Sequence, residues 1–522
     1  MSDKPEHNSE STEPQIPLDE LIEIRRRKIA DFRNEGINPY PYRYDRTHII
    51  AETLAAFDQL AAAETSIRLA GRIMLKRKMG KSIFADIHDL SGKIQVYLKI
   101  DIVGEKNFSL FDRLDLGDIV GAEGILFVTR TGEKTLKVHQ FELLAKSLHP
   151  LPDKHAGLVD KEMRYRRRYA DLIVNPEVRQ TFTQRSRIIK SIREFLDSRG
   201  FLEVETPILQ PLYGGAAARP FMTHHNTLDY DLYLRIADEL YLKRLIVGGF
   251  EKVWEYCKDF RNEGMDRLHN PEFSMIELYW AYADYNDIMV LLADLFRKAV
   301  FDLHGKYKIP YEEYEIDFEP PFKVVSMIDA VKEATGTDLL PLDYDAARAK
   351  AREVGIDSEG LINWGKVVEA FFEHFVEPTL IQPTIIKDFP IEISPLAKVH
   401  RDNPCLSERF ELFIAGLEMG NAFSELNDPE DQRQRFMDQL AQRQAGDEEA
   451  QQYDEDYVTA LSYGMPPTGG LGFGIDRMIM LLTNSHSIRD VIFFPQMRPE
   501  KAVTGTIDTS FSASRPDNES KS

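Results

Sequence analysis

Apolar positions near the start of the chain follow the spacing of an amphipathic helix. From Leu18 to Glu35 they recur every three or four residues, and Gly36 follows as a stop signal. Residues 1–17 are rich in Ser, Glu and Pro, a composition typical of a disordered tail. Residues 18–66 are therefore predicted to form an N-terminal helical segment.

Between residues 67 and 147 the pattern changes to short, partly alternating β-rich runs separated by turn formers. Five such strands in one short stretch predict a small closed barrel. The OB-fold is one barrel of this kind and commonly binds single-stranded nucleic acid, but the pattern fits another small β-barrel nearly as well. The predicted strands are Ile67–Leu75, Ser82–His88, Lys93–Ile100, Ile119–Val128 and Thr135–Leu144.

The remaining pattern predicts a hinge over residues 148–176 and a second domain over 177–500, with a tail at 501–522. Apparent strands in this domain pair as hairpins while helices lie elsewhere, which indicates an antiparallel α+β core rather than a doubly wound parallel sheet. Residues 329–382 look helical and inserted. The predicted elements are a long helix at Glu177–Ser198, strands at Lys252–Arg261 and Glu272–Tyr282, a hairpin near 410–425, and a Gly-rich strand at 469–474 followed by an apolar helix.

Composition and charge narrow the class of protein. A chain of 522 residues with 43% hydrophobic and 29% charged residues is typical of a globular protein of two or three domains. No apolar run reaches the roughly 18 residues of a membrane span, and no apolar signal segment opens the chain, so a cytoplasmic location is expected. The net charge of −21 argues against indiscriminate nucleic-acid binding. Two local basic clusters, residues 25–28 and 164–168, are more often solvated helix faces than phosphate tracks.

The most informative stretch runs from Asp259 to Tyr279. Arg261 lies where the first predicted strand ends and Phe273 where the second begins, and alternation places Phe273, Glu277 and Tyr279 on one face. This surface suits a nucleotide, because it combines an arginine, an aromatic ring and carboxylates. The guanidinium would bind a phosphate and the ring would stack on the base. A surface hairpin with ordinary charge pairs is the alternative.

Three segments resemble the class II aminoacyl-tRNA synthetases. Phe260-Arg261-Asn262-Glu263 with its returning strand resembles motif 2 of that family, and Gly472-Phe473-Gly474-Ile475-Asp476-Arg477 resembles motif 3. The long helix leading into Phe201–Pro207 resembles motif 1. The resemblance extends from about Leu18 to Pro499 and is closest to the lysyl branch. Stretches that match this branch are 214–221, 239–243 and 420–426.

The resemblance implies a fold and an activity. The fold is α+β, an antiparallel-sheet class II catalytic domain over 177–500 preceded by an OB-fold anticodon-binding domain over 67–147. The activity is ATP-dependent activation of lysine to lysyl-adenylate with release of pyrophosphate, followed by transfer of lysine to the 3′ end of its tRNA. The resemblance also implies Mg²⁺ as cofactor and a homodimer formed through the motif 1 region.

The resemblance further implies which residues bind ATP and the metal. Arg261 matches the arginine that binds the α-phosphate, and Arg477 matches the arginine near the γ-phosphate that also covers the adenine; these two are the expected catalytic residues. Glu411 and Glu418 match the magnesium ligands. If Ala415-Gly416 is a tight turn, the spacing places both acids on one face. The remaining implied ATP contacts are Glu263, His269, Asn270, Phe273, Glu411 and Gly474.

Lysine selection needs buried negative charge, because a carboxylate left without its ammonium costs several kcal/mol. Glu425 and Glu277 resemble the family's readers of the side-chain ammonium, while Gly214 and Glu239 match positions that hold the α-amino end. Tyr279, Asn421 and Phe423 are expected to line the pocket. Simple alternation from Glu418 places Asn421, Phe423 and Glu425 on the opposite face, so a bulge near Gly420 is required if both sets are to face one cavity.

In the predicted barrel, Phe84 and Gln95 match positions that stack on and hydrogen-bond anticodon bases, with His88 and Arg72 as further candidates. A core role for Phe84 is the alternative. For the whole chain, an aspartyl or asparaginyl synthetase, a lysylating protein-modification enzyme and a non-enzymatic binding module remain alternatives. The acidic residues that match the pocket argue against an aspartyl or asparaginyl synthetase. The N-terminal barrel argues against a lysylating protein-modification enzyme, and the presence of both arginines, Arg261 and Arg477, argues against a binding module.

Overall fold

The computed structural model of the protein describes residues 16–152, 160–319, 321–444 and 452–499. Nearly all of the tail predicted over 1–17, the tail at 501–522 and part of the predicted hinge lie outside the described residues. The chain divides into two compact units, residues 1–160 and 161–522. The first contains the predicted helical segment and barrel, and the second contains the large sheet.

The helical segment of the first unit consists of α1 (Leu18–Asn34), α2 (Ile50–Ala55) and α3 (Phe57–Ala62). Phe32 and Phe57 are buried in the core of the barrel that follows. Arg25, from the first basic cluster, is also buried, and its Nη1 donates to the carbonyl oxygens of Ser147 and His149 at 3.2 and 3.0 Å. At least this arginine therefore has a structural role instead of forming part of a phosphate track.

Five strands of the first unit form a closed barrel in the order β1-β2-β3-β5-β4. Alternate residues such as Ile83, Ala85 and Ile87 point into its core, as the alternating pattern requires. All five strands were predicted. The helix α4 between β3 and β4 was not, because Gly104, with φ of 79°, interrupts its helical period. The bounds are β1 (Ile67–Met79), β2 (Ser82–His88), β3 (Lys93–Lys99), α4 (Ile100–Arg113), β4 (Ile119–Val128) and β5 (Lys134–Ala145).

The second unit is built on an eight-stranded sheet, which confirms the predicted α+β class. Its order is β14-β15-β16-β17-β18-β11-β10-β6. Neighbours from β15 to β10 are antiparallel, and only the outer pairs β14–β15 and β10–β6 are parallel. The bounds are β6 (Leu202–Glu203), β7 (Leu209–Gln210), β8 (Met222–His225), β9 (Tyr230–Leu234), β10 (Lys252–Phe260), β11 (Glu272–Ala281), β12 (Lys308–Tyr311), β13 (Tyr314–Asp317), β14 (Lys323–Ser326), β15 (Thr384–Lys387), β16 (Arg409–Ile414), β17 (Leu417–Ser424) and β18 (Thr468–Gly474).

Helices cover parts of both faces of this sheet. Ile276 and Leu278 of β11 belong to a core cluster with residues of the long helices α7 and α9, while Tyr279 and Ala281 cluster with residues of α8 and α14. The helix bounds are α5 (Lys161–Arg166), α6 (Arg168–Val174), α7 (Pro176–Ser198), α8 (Glu239–Val247), α9 (Tyr285–His304), α10 (Met327–Thr335), α11 (Tyr344–Glu353), α12 (Trp364–Phe375), α13 (Pro429–Gln444), α14 (Glu455–Ser462), α15 (Ile475–Leu482) and α16 (Ile488–Val491).

Two predicted boundaries can be compared with these bounds. The hinge predicted over 148–176 needs correction, because α5 and α6 occupy residues 161–174 within the second unit. Arg168 and Asp171, buried on α6, form an ion pair at 2.8 Å that a mobile linker would not hold. The insertion predicted over 329–382 corresponds to α10–α12, which lie between the paired strands β14 and β15 and have a core of their own.

Candidate active site

One cavity of about 330 Å³ opens on the face of the sheet where β11, β17 and β18 lie side by side. Residues predicted from distant stretches of the sequence converge on its wall. Two residues predicted for this site do not line the cavity. Gly214 is next to Gly215, which lines it, and Glu411 lies on β16 opposite Asn421, which also lines it. The predicted residues that line it are Glu239, Arg261, Glu263, His269, Asn270, Phe273, Glu277, Tyr279, Glu418, Asn421, Phe423, Glu425, Gly474 and Arg477.

The hairpin β16–β17 contains both the turn and the bulge that the sequence required. Ala415 and Gly416 have positive φ of 54° and 69° and form the two-residue turn. Phe413 pairs with Glu418, but Leu412 pairs with Gly420, so residue 419 is the extra residue of a β-bulge. The bulge changes the alternation of β17, which brings Glu418 to the same cavity as Asn421, Phe423 and Glu425.

Arg261 lies at one end of the cavity, beside Phe273. Its guanidinium carbon is 5.1 Å from the ring centre of Phe273, and its backbone N–H donates to the Pro271 carbonyl at 2.9 Å. Within the described residues, the buried Nε of Arg261 has no hydrogen-bond partner. A buried donor without a partner is costly, so this position favours an anion in the cavity.

Arg477, the second arginine that lines the cavity, contacts Glu418 and His269. Its Nη1 donates to the Glu418 carbonyl at 2.8 Å, and its Nη2 lies 3.3 Å from Nε2 of His269. Since a guanidinium only donates, Nε2 accepts and Nδ1 carries the hydrogen. Nδ1 then donates to Asp266, 2.8 Å away. The imidazole therefore links Asp266 to Arg477 and orients the arginine.

Asp476 joins the three motif segments. Its Oδ1 is 2.5 Å from Nη1 of Arg185 on α7, and its Oδ2 accepts from the backbone N–H of Ser274 on β11 at 2.7 Å. Asp476 is buried, and Arg185 is nearly so. This ion pair fixes the start of α15, and so Arg477, relative to the strand that carries Phe273.

The opposite end of the cavity is acidic and includes a cation that the sequence analysis missed. Lys243 on α8 is fully buried, its Nζ lies 2.5 Å from Oε1 of Glu239, and it forms an ion pair with Glu425. Burial raises the pKa of Glu425 to about 8, against the lowering effect of Lys243. Burial also raises the pKa of Glu239. Lys243 follows Glu239 by four residues in the segment 239–243, so helical spacing could have identified the pair.

Glu277 belongs to a buried acidic cluster behind the cavity. Its Oε2 accepts from the Tyr279 hydroxyl at 3.2 Å. Burial, with the negative charges of Asp238 and Asp259, raises the pKa of Glu277 well above its usual range. Arg235, also buried, pairs with Glu255 at 2.7 Å and with Asp259 at 3.4 Å and partly balances the cluster. Burial therefore disfavours the charged form of Glu277, whereas Glu425 has the ammonium of Lys243 directly against its carboxylate.

Gly215, next to the predicted Gly214, lines the cavity. Its φ is 87°, a conformation that favours glycine. A β-carbon there would lie 3.0 Å from that of Ala237 and 3.1 Å from that of Glu239. The backbone at 215 can therefore approach Glu239 only because this residue lacks a side chain.

On the barrel, Phe84 lies on the outer surface, which excludes the core alternative. Its neighbours Ile83 and Ala85 point inward, and its half-buried ring is 4.8 Å from that of Tyr97, which is in turn 5.8 Å from Phe127. These three rings form the aromatic row. Gln95 is on the adjacent strand, where its Oε1 accepts from the Thr135 hydroxyl at 3.0 Å.

The two further candidates on the barrel differ in their surroundings. Arg72 donates to the Gly117 carbonyl at 2.7 Å and so has a structural partner. His88 ends β2, opposite Lys93 of β3 and Arg72 of β1.

Among the described residues, no helix is both long and apolar enough to cross a membrane.

Comparison with known proteins gives the same division of the chain. Residues 160–498 match the family described as tRNA synthetases class II (D, K and N), and residues 67–144 match the OB-fold nucleic acid binding domain. A lysine–tRNA ligase of Carboxydothermus hydrogenoformans is 56% identical over 483 residues, 92% of this chain and 99% of the relative. The lysine–tRNA ligase of Pelotomaculum thermopropionicum is 54% identical over 487 residues, which cover 93% and 96% of the two chains.

Proposed function

We propose that the cavity binds ATP and lysine side by side. The premise is that the chain belongs to the class II tRNA synthetases and, among them, to the lysine–tRNA ligases. The chain is an aminoacyl-tRNA ligase that attaches lysine to tRNA. The observation that carries the assignment of the site is the division of one cavity into two oppositely charged ends. Arg261 and Arg477 line one end, and Glu239 and Glu425 line the other.

The cationic end suits the triphosphate and adenine of ATP. Arg261 binds the α-phosphate, where its unpartnered Nε can donate as negative charge builds up in the transition state. Phe273 and Arg477 cover the two faces of the adenine, and Glu263 accepts from its amino group. His269, Asn270 and Gly474 complete the nucleotide contacts. The lysine carboxylate attacks the α-phosphorus, pyrophosphate leaves, and a tRNA hydroxyl then accepts the lysyl group and releases AMP.

Glu411 and Glu418 are proposed to hold Mg²⁺. They lie on the paired strands β16 and β17, and each offers the hard carboxylate oxygens that this ion prefers. Arg409 Nη2 lies 2.5 Å from Oε1 of Glu411, and Arg477 Nη1 lies 3.4 Å from Oε2 of Glu418. The carboxylates therefore fit the ion in ligand type. When bound, Mg²⁺ would neutralise charge on the phosphates.

The acidic end suits the two amino groups of lysine. Glu239, with the backbone at Gly214 and Gly215, is proposed to hold the α-amino group, and Glu425 the side-chain ammonium. Tyr279, Asn421 and Phe423 provide the walls, and Glu277 accepts from Tyr279 beneath them. An uncharged or shorter side chain would leave Glu425 without the substrate's ammonium, which is the physical basis for rejecting other amino acids.

The barrel and the motif 1 region provide the remaining proposals. The aromatic row of Phe84, Tyr97 and Phe127, next to Gln95, is proposed to stack anticodon bases of the tRNA. We also propose a homodimer through the motif 1 region. In support, the segment after α7 exposes several large apolar side chains: Leu202, Ile208, Leu209 and Leu212. With tRNA and ATP as substrates, the cytoplasm is the expected site of action.

Exchange of radiolabelled pyrophosphate into ATP tests the site with each amino acid in turn, without tRNA. Exchange is expected with lysine alone, and charging of total tRNA is expected to place lysine on its acceptor. Exchange driven best by aspartate or asparagine would overturn the acidic-pocket assignment. Glu425→Gln is expected to raise the KM for lysine while leaving the KM for ATP nearly unchanged. Equal effects on both substrates would contradict the assigned role of Glu425.

A further inference from the structure

Lys243 is a charged side chain in the acidic end that the proposed chemistry does not use. It is fully buried on α8, although a lone buried ammonium is among the costliest groups in a protein interior. Its ammonium has neighbours on its own helix and on other elements of the second unit. Among them are Glu239 on α8, Glu425 after β17, and the rings of Tyr279 on β11 and Phe423 on β17, whose centres are 5.8 and 5.7 Å away.

These neighbours are the same residues that are proposed to hold the two amino groups of the substrate. Glu239, Glu425, Tyr279 and Phe423 line the cavity, but Lys243 does not. Its ammonium therefore contacts the two acids from behind the cavity wall. Gly470 lies against the second carboxylate oxygen of Glu425, so the carboxylate has little room to turn away.

We propose that Lys243 is a positioning residue for lysine recognition, a fixed internal cation that joins Glu239 to Glu425 and holds both carboxylates toward the substrate's two ammonium groups. This proposal rests on the proposed function of the cavity. Lys243 supplies one positive charge to the two acids, and lysine supplies two more when it binds, one to each. The internal cation thus prevents the empty site from holding two uncompensated carboxylates close together.

Loss of Lys243 should change the pH dependence of lysine use. The groups that face its ammonium are Glu239, Glu425 and the hydroxyls of Tyr279 and Tyr457; burial raises the pKa of both tyrosines, so they remain neutral. Lys243 lowers the pKa of Glu239 and of Glu425, opposing burial. Without it both acids hold their protons to higher pH, so the defect is largest at low pH and shrinks as pH rises.

The test compares Lys243→Met with Lys243→Arg and with a matched control on the same helix, Arg244→Met. Arg244 pairs with Asp454 at 2.9 Å and does not line the cavity. In pyrophosphate exchange, Lys243→Met is expected to raise the KM for lysine about tenfold or more and to change the KM for ATP less than about threefold. Lys243→Arg keeps the cation and is expected to recover most of the loss. Arg244→Met is expected to leave the KM for lysine unchanged.

A purely structural role gives a different result. The proposal is overturned if Lys243→Met shifts both KM values together, if its relative defect does not depend on pH, or if Arg244→Met reproduces it. Should Lys243→Met fail to fold, Lys243→Gln replaces it and is judged by the same KM values for lysine and ATP. A parent enzyme that exchanges with lysine, together with an effect of Glu425→Gln, shows that the proposed function holds whatever the outcome for Lys243.

Discussion

A β-carbon built on Gly470 would lie 1.9 Å from Oε1 of Glu425. It would also lie 2.7 Å from Cε1 of Tyr279, so two residues assigned to the lysine end share the space left by this missing side chain. Strand β18 can lie this close to the Glu425 carboxylate only because residue 470 is glycine. The Gly-rich strand therefore makes room for residues that are proposed to bind lysine, and it also leads into the motif 3 segment.

Gly470→Ala is accordingly expected to displace the Glu425 carboxylate and to impair lysine use selectively. Overpacking of this kind costs about 1–3 kcal/mol, and here the most easily moved group is the carboxylate. We expect the KM for lysine in pyrophosphate exchange to rise about tenfold, with the KM for ATP nearly unchanged. Gly469→Ala is the matched control, since its β-carbon would meet Ile288 in the core at 2.6 Å. It should lower stability without selectivity for lysine, and the same selective effect in both variants would contradict this account.

Arg261→Lys tests the α-phosphate assignment while preserving charge. Lysine cannot place several donors in a fixed plane, so transition-state stabilisation should fall even though the cation remains. We expect the rate of pyrophosphate exchange to drop about 10²- to 10³-fold, with little change in the KM for lysine. Arg267, in the same loop, is largely exposed and lies 3.5 Å from Glu312. Arg267→Lys should behave like the parent, and an Arg261→Lys rate within a few-fold of the parent would remove the assignment.

The pH dependence of lysine use should report Glu425. Burial raises its pKa to about 8, and only the ionised form pairs with the substrate ammonium. Below that pH the free enzyme carries a protonated, neutral Glu425, so kcat/KM for lysine should rise with pH through an apparent pKa of about 8. The kcat/KM for ATP at saturating lysine provides the control and should lack this transition. A flat lysine profile between about pH 6 and 9 would be incompatible with the raised pKa.

Much of the fold could be predicted from the sequence, because the strands alternate cleanly where one face is buried. Residues 83–87 of the barrel are an example. The helix α4 was missed since Gly104 breaks its period, and α5 and α6 were taken for a hinge since their stability comes from buried Arg–Asp pairs that a hydrophobic pattern does not register. The turn at Ala415-Gly416 could be proposed from the sequence because a two-residue turn there places Glu418 opposite Phe413 on the returning strand.

The site was less accessible to sequence reasoning where a position depends on three-dimensional packing. Arg261 and Arg477 lie in motifs with clear local patterns, so they were identified. Lys243 was not, because a lysine four residues after a glutamate usually marks an exposed helical pair, and only burial distinguishes this one. Glu411 is paired with Asn421 on the neighbouring strand, beside the residues that line the cavity, and its predicted contact with the nucleotide stays a prediction.

Asp476→Ala is expected to destabilise the second unit. It leaves the buried Arg185 without its carboxylate and the Ser274 N–H without an acceptor, and breaking a buried pair in this way costs about 3–5 kcal/mol. All three tryptophans of the chain, Trp254, Trp280 and Trp364, lie in this unit, so tryptophan fluorescence during urea unfolding monitors it specifically. Glu194→Ala, which breaks an exposed pair with Lys190 on α7, should cost less than about 0.5 kcal/mol. Equal losses in the two variants would show that the Asp476 pair does not hold the motifs together.

Phe84→Ala separates anticodon recognition from amino-acid activation. Phe84 begins the aromatic row on the barrel, and stacking of one base on a ring contributes about 1–3 kcal/mol. We therefore expect the KM for tRNA in lysine charging to rise about tenfold, while pyrophosphate exchange without tRNA stays at the parent level. Tyr42→Ala is the matched control, since Tyr42 is a fully exposed aromatic residue of the same unit outside the row. If Phe84→Ala charged tRNA as efficiently as Tyr42→Ala, base recognition would have to lie elsewhere on the barrel. If exchange fell as well, the substitution would be acting on the catalytic unit and not on an anticodon contact.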